Sequence, residues 1–196
     1  MTPVQPLFDG VAARPPSTDR LFFALLPDAA AIARIEKLVR DLQSDFGLKG
    51  KPLGAKRFHV TLHVVGDFPH FPQEHADASV RVAQAATATP TFKLGFDRVG
   101  SFSRNARNMP LVLLGEDGLV GVRALQQALD LAMAQIGLGH GVREHYTPHL
   151  TLLYDDRHVA TRPIEPITWT AREFVLVRSL IGQSRHEVLA RLPLRG

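Results

Sequence analysis

The sequence predicts two lobes of mixed helix and strand, built from one unit written twice. Three observations lead there. A strand–helix–strand pattern occurs two times along the 196 residues, and its landmarks keep one spacing: Leu21 and Leu111, Gly47 and Gly137, His59 and His149, Thr61 and Thr151, and Leu62 and Leu152 are each 90 positions apart. No low-complexity stretch or long linker separates the copies, so the lobes are expected to pack face to face. Finally, 45% hydrophobic and 21% charged residues give an ordinary globular composition. Residues 1–18 carry Pro3, Pro6, Pro15 and Pro16 and read as a mobile arm. Residues 19–196 read as one bilobal unit.

The elements follow from periodicity. RLFFALLP at 20–27 is a short apolar run closed by Pro27, which reads as a buried strand. Asp28 is placed to cap a helix in which Ile32, Ile35, Leu38, Val39, Leu42 and Phe46 recur at three- and four-residue spacing, with Gly47 as its stop. After a basic loop with Lys49, Lys51, Lys56 and Arg57 comes FHVTLHVV at 58–65. There Phe58, Val60, Leu62 and Val64 alternate with His59, Thr61, His63 and Val65, the pattern of a half-buried strand. Residues 66–73 read as a loop, 74–87 as a helix, 91–99 as a strand and 100–109 as a polar loop. The unit then returns as a strand at 110–115, a helix at 118–136 and a strand at 149–154. Residues 174–179 and 186–192, around Gly182-Gln183-Ser184, read as a closing hairpin.

Each His-x-Thr-Leu segment places histidine and threonine two residues apart. On a strand both side chains share a face, about 6.6 Å apart along the chain. Two such strands bring two imidazoles and two hydroxyls to one cleft. One neutral imidazole can take a proton while the other, protonated, gives one, and both forms are populated near neutral pH. Threonine hydroxyls can donate to phosphate oxygens where negative charge accumulates. Core packing has no use for polar residues at equivalent places in both copies. His59, His149, Thr61 and Thr151 are therefore expected to form a metal-independent phosphodiesterase site.

Other chemistries find less support. Without cysteine there is no disulfide framework, thiolate metal site or cysteine nucleophile. The four-residue spacings His59/His63 and His145/His149 would suit a metal on a helix. However, the first pair lies in a strand pattern, about 13 Å apart along it, and Pro148 interrupts the second. No HExxH, GxxxxGK[ST], GxGxxG or GxSxG motif occurs. The formal charge of +4 and pI near 9.8 allow a polyanionic partner. With neither a signal peptide nor a membrane-length apolar run, the expectation is a soluble, cytoplasmic protein with no membrane association; it is also expected to be a monomer.

The segments RLFFALLP at 20–27, FHVTLHVVGDF at 58–68, TPHLTLLYDD at 147–156 and FVLVRSLIG…HEVLARLPL at 174–194 resemble the two-histidine phosphoesterase superfamily. They are most similar to its branch of 2′-5′ RNA ligases and RNA 2′,3′-cyclic phosphodiesterases. The resemblance implies an α+β, bilobal, pseudo-two-fold fold, each lobe an antiparallel sheet with flanking helices and an active-site groove between. It implies hydrolysis of a terminal 2′,3′-cyclic phosphate to a 2′-phosphate without cofactor, and reversible 2′-5′ ligation. It also implies that His149 activates the nucleophile, His59 protonates the leaving oxygen, and Thr61 and Thr151 bind phosphate. An arginine common in the family shortly after the second motif is missing. Arg104, Arg107 and Arg157 are candidate replacements, and Phe22 and Tyr154 candidate base contacts, with Phe68 and Phe102 also considered. A tyrosine near the end of the family pattern is replaced by His186. Expected partners are RNA ends or small cyclic-phosphate nucleotides. ADP-ribose cyclic phosphate or 2′-5′ oligonucleotides are the alternative substrates, and a non-catalytic RNA-binding module the alternative role.

Overall fold

The computed structural model describes residues 16–102, 107–138 and 146–196. Its elements in chain order are β1 (Asp19–Leu25), α1 (Ala29–Phe46), β2 (Val60–Phe68), α2 (Gln73–Ala83), β3 (Phe92–Ser101), β4 (Met109–Leu114), α3 (Val120–Ala134), β5 (Leu150–Asp155), β6 (Arg162–Ala171), β7 (Glu173–Leu180) and β8 (Arg185–Pro193). All eight strands form one sheet in the order β6-β3-β4-β5-β2-β1-β7-β8, and every recorded strand pairing is antiparallel. Read outward from the middle, each half is β2-β1-β7-β8 or β5-β4-β3-β6. The halves meet at a single bridge, Val60 to Leu150.

Local chemistry sets the helix ends as the sequence leads one to expect. The Asp28 carboxylate accepts the Ala31 N–H at 2.8 Å, and Gly47 ends α1 in the left-handed region at φ 59°. Gly137, its counterpart after α3, has φ 67°. α1 packs against β6 and α3 against β2 as well as β3, so these two helices reach strands of the opposite half. One apolar core results, running from Leu21, Phe23 and Ile35 to Leu111, Leu125 and Trp169. The other face of the β1–β7 region holds a smaller cluster of Phe22, Ala24, Val175 and Val177.

Both His-x-Thr-Leu strands contain a bulge at the same place. Phe23 pairs with His63 and Ala24 with Thr61, leaving Leu62 as the extra residue. Leu111 pairs with Leu153 and Val112 with Thr151, leaving Leu152. The bulge breaks the alternation expected for 58–65. Beyond Leu62 the strand changes phase, so His63 joins Phe23 on the core face while Val64 shares the other face with Phe22. The registers also refine the repeat. Leu111 occupies the place of Phe23, not Leu21, so the offset is 88 in the first strand and 90 in the second.

Three further differences are local. β6 falls in a stretch for which the sequence predicts no element, and it contains Pro163 and Pro166. It lies at the sheet edge, where a missing N–H is tolerated, and Ile167, Trp169 and Ala171 alternate inward. Thr18 lies within the expected arm yet donates its N–H to Phe68 and accepts from Ile181, both at 2.8 Å. His63, on the buried face, lies 2.5 Å from an Asp130 carboxylate oxygen, and Gln126 donates to the other oxygen, tying β2 to α3.

Candidate functional site

The central bridge positions the duplicated residues. Val60 and Leu150 both point into the core and are fully buried. Their neighbours therefore project to the opposite face. Continuing that antiparallel register by one residue each way sets His59 opposite Thr151 and Thr61 opposite His149. The four side chains occupy the corners of a quadrilateral, the histidines on one diagonal and the threonines on the other. Diagonal neighbours in such a ladder are about 7–8 Å apart. The backbone is tied across this point, since the Tyr146 hydroxyl donates to the Thr61 carbonyl at 2.7 Å.

Each imidazole is held by the carbonyl two residues earlier. His59 Nδ1 donates to Arg57 O at 2.7 Å, and His149 Nδ1 to Thr147 O at 2.9 Å. A carbonyl accepts only from a protonated nitrogen. Both rings thus carry hydrogen on Nδ1 and, when neutral, present the Nε2 lone pair. Both histidines stand one residue before their strands begin, where the incoming loop fixes ring orientation.

The surroundings differ. The His59 ring packs at 4.9 Å from Phe22 and 5.2 Å from His186, while His149 meets the edge of Phe102 at 5.0 Å. Burial pushes the His59 pKa down to about 4, against the opposing pull of the Arg57 carbonyl; the nearby His186, His149 and Arg57 charges lower it further. Burial, followed by the charge of Arg57, also lowers His186.

A cavity of about 720 Å³ opens beside the first half of the site, lined by Lys51, Lys56, Arg57, Asn108, Tyr154 and Ser184 among others. Asp155 shapes its wall. The carboxylate accepts the N–H groups of Lys49, Gly50 and Arg157 at 2.6–2.8 Å. Burial alone would raise its pKa, but these three donors hold it below the ordinary carboxylate value. The basic loop is further stitched to β5 by Leu53 N–H donating to Leu152 O at 2.8 Å.

The remaining sequence candidates fall in different places. Tyr154 is 42% exposed, pairs with Pro110 on the same sheet face as Thr151, and lines the cavity. Phe22, by contrast, is 3% exposed and lies under His59 and His186, so it supports those rings and offers no open face to a base. Arg157 donates one guanidinium nitrogen to the Phe46 carbonyl at the C-terminal end of α1 at 2.5 Å, an arrangement that caps a helix. Arg107 is exposed, next to Asn108 at the cavity rim. Arg104 lies outside the described residues, as does His145. Phe68 packs on His75, at 5.1 Å. His63 sits on the far side of the sheet from His59, so the two cannot share an ion. Sequence reasoning did not single out Arg57 or the loop-organising role of Asp155. The position of Arg57, two residues before His59, was the available signal.

Comparison with known proteins agrees with this architecture. The family model described as the 2′-5′ RNA ligase superfamily matches residues 27–182. The structure is similar to that of E. coli LigT in its apo form, with 25% identity and a TM-score of 0.73, covering 92% of this chain and 100% of that one. It is also similar to E. coli LigT complexed with 3′-AMP, at 26% identity, TM-score 0.70, and 91% and 99% coverage. TT0787 of Thermus thermophilus shares the fold at 21% identity, TM-score 0.73, and 90% and 98% coverage. No curated protein matches by sequence. Among the described residues, no helix is long and apolar enough to cross a membrane. With a family match over most of its length and this shared architecture, the chain belongs to the 2′-5′ RNA ligase superfamily of phosphoesterases.

Proposed function

We propose that the protein hydrolyses a 2′,3′-cyclic phosphate at an RNA end to a 2′-phosphate, using His59 and His149 as its acid–base pair. The observation that carries this reading is the diagonal placement of two Nδ1-anchored imidazoles about the Val60–Leu150 bridge. In-line displacement at phosphorus needs a proton acceptor on one side and a proton donor on the other. One neutral Nε2 takes a proton from water as its oxygen bonds to phosphorus. The P–O3′ bond breaks, and the other imidazole, protonated, delivers its proton to O3′. Thr61 and Thr151, on the other diagonal, donate to the non-bridging oxygens. Ligation through a 2′-5′ linkage is the reverse transesterification, with an RNA 5′-hydroxyl in place of water.

The basic cavity supports a nucleic-acid substrate. Its volume lies within the usual ligand-site range of about 300–1,000 Å³, and Lys51, Lys56 and Tyr154 offer charge for a backbone and a ring for a base. LigT, a structural relative, was crystallised in complex with 3′-AMP, which is consistent with a nucleotide end as substrate. The test is an oligoribonucleotide ending in a 2′,3′-cyclic phosphate, incubated with the protein in EDTA. A 2′-phosphate product is expected. A 3′-phosphate product, no turnover, or loss of turnover caused by EDTA would each count against the reading.

A further inference from the structure

We propose that Arg57 is the cation that grips the reacting phosphate. This rests on the phosphoester reading above and supplies a part that the sequence after the second motif lacks.

Three observations converge on this residue. First, Arg57 is half-buried, its Nε is closed off from solvent, and no acceptor for that nitrogen lies among the described residues. No carboxylate among the described residues pairs with its guanidinium either, a trait it shares with several exposed arginines such as Arg34 and Arg40, but unlike them it is half-buried with a closed-off Nε. Second, Phe58 between Arg57 and His59 is extended (φ −68°, ψ 121°) and buried. Arg57 itself closes a 3-10 turn (Ala55–Arg57) and lines the cavity together with Tyr154, which lies on the sheet face of Thr151. Third, the charge reaches the site, since Arg57 lowers the pKa of both His59 and His186.

An unpaired, half-buried guanidinium beside two imidazoles is electrostatically incomplete. Each of the three groups is worse off when its neighbours are charged, and an anion between them reverses the sign of every one of those interactions. The planar fork suits two phosphate oxygens at once, which a lysine ammonium cannot match. The backbone carbonyl of Arg57 meanwhile anchors His59 Nδ1. One residue would thus hold His59 by its main chain and the phosphate by its side chain. Arg157, by contrast, already gives one guanidinium nitrogen to the α1 terminus.

Titration with inorganic phosphate, followed through the imidazole NMR signals of His59 and His149, tests the proposal. Wild type should bind. R57M should weaken the dissociation constant at least about tenfold, and R57K should recover part of the loss by restoring charge without the fork. Because the carbonyl contact is main-chain, R57M should keep the Nδ1–H tautomer signature of His59, which separates lost anion binding from a disturbed loop. Wild type failing to bind phosphate, or R57M binding within about twofold of wild type, would overturn the assignment. The RNA-end assay fails separately. Turnover of the cyclic-phosphate oligonucleotide with unchanged R57M phosphate affinity would sink Arg57 alone. Arg57-dependent phosphate binding without that turnover would sink the RNA-end reading and keep the anion site.

Discussion

The two halves of the sheet carry the same His-x-Thr-Leu strand, the same bulge after the threonine and the same carbonyl anchor on Nδ1, yet they house their histidines differently. His59 rests on Phe22 with His186 and Arg57 around it, and its pKa falls to about 4. His149 meets the edge of Phe102, and the turn beyond its strand is organised by Asp155. Duplication therefore supplies the skeleton of the proposed acid–base pair, and the residues around it make the two members unlike. A neutral ring under Phe22 is suited to accept a proton. Burial under Phe22 thus favours the neutral form of His59 in the free protein. A bound phosphate anion would raise His59 again, so the free-state asymmetry describes the site before substrate arrives.

The sharpest way to break this comparison is to remove either ring. H59A and H149A should each lose at least about 100-fold in turnover of a cyclic-phosphate end, the scale of a general acid or base. Full activity in either variant would show that the halves do not share the reaction.

The next effect concerns the floor under His59. Phe22→Ala should cost about 3–5 kcal/mol of stability in urea unfolding, as for other buried aromatics, and should raise the His59 pKa by letting water reach the ring. The sign for stability follows. Between pH 6.5 and about 4 the unfolded His59 takes up a proton that the folded ring refuses, so the folded state loses stability as pH falls through that window. The variant should lose less there than wild type. An unchanged His59 titration in F22A would contradict burial as the main cause.

Asp155 tests the other half with a smaller effect. D155N leaves backbone donors of Lys49, Gly50 and Arg157 poorly satisfied and should cost about 1–3 kcal/mol. The carboxyl is held below its ordinary value, so its contribution is present above pH 3.8 and is lost as pH falls through the folded value. The gap between wild type and D155N in thermal or urea unfolding should accordingly close in acid. A gap independent of pH would mean that the carboxylate charge is not what holds the loop.

How much of this was legible in the sequence depends on whether the determinant is local. The helix caps at Asp28, Gly47 and Gly137 and the paired His and Thr residues are local signals, and they were readable. The bulge at Leu62 was not, because an apolar run looks alike in both phases. His63 consequently read as a neighbour of His59 when it faces Asp130, 67 residues away. β6 was hidden by prolines that only an edge strand tolerates. Arg157 looked like a clamp because its helix-end partner, Phe46, is 111 residues distant. Arg57 stood next to the motif, but an arginine in a basic loop is recognised as special only once its half-buried Nε without an acceptor is seen.

The central claim is that one histidine from each half acts on a single phosphate, and a double mutant tests it most directly. If the two rings work as one acid–base unit, single-turnover cleavage by H59A/H149A in EDTA should be about as slow as by the slower single mutant. Losses that multiply, giving about 10⁴-fold where each single variant loses about 100-fold, would mean that the two histidines contribute independently and would contradict the shared site.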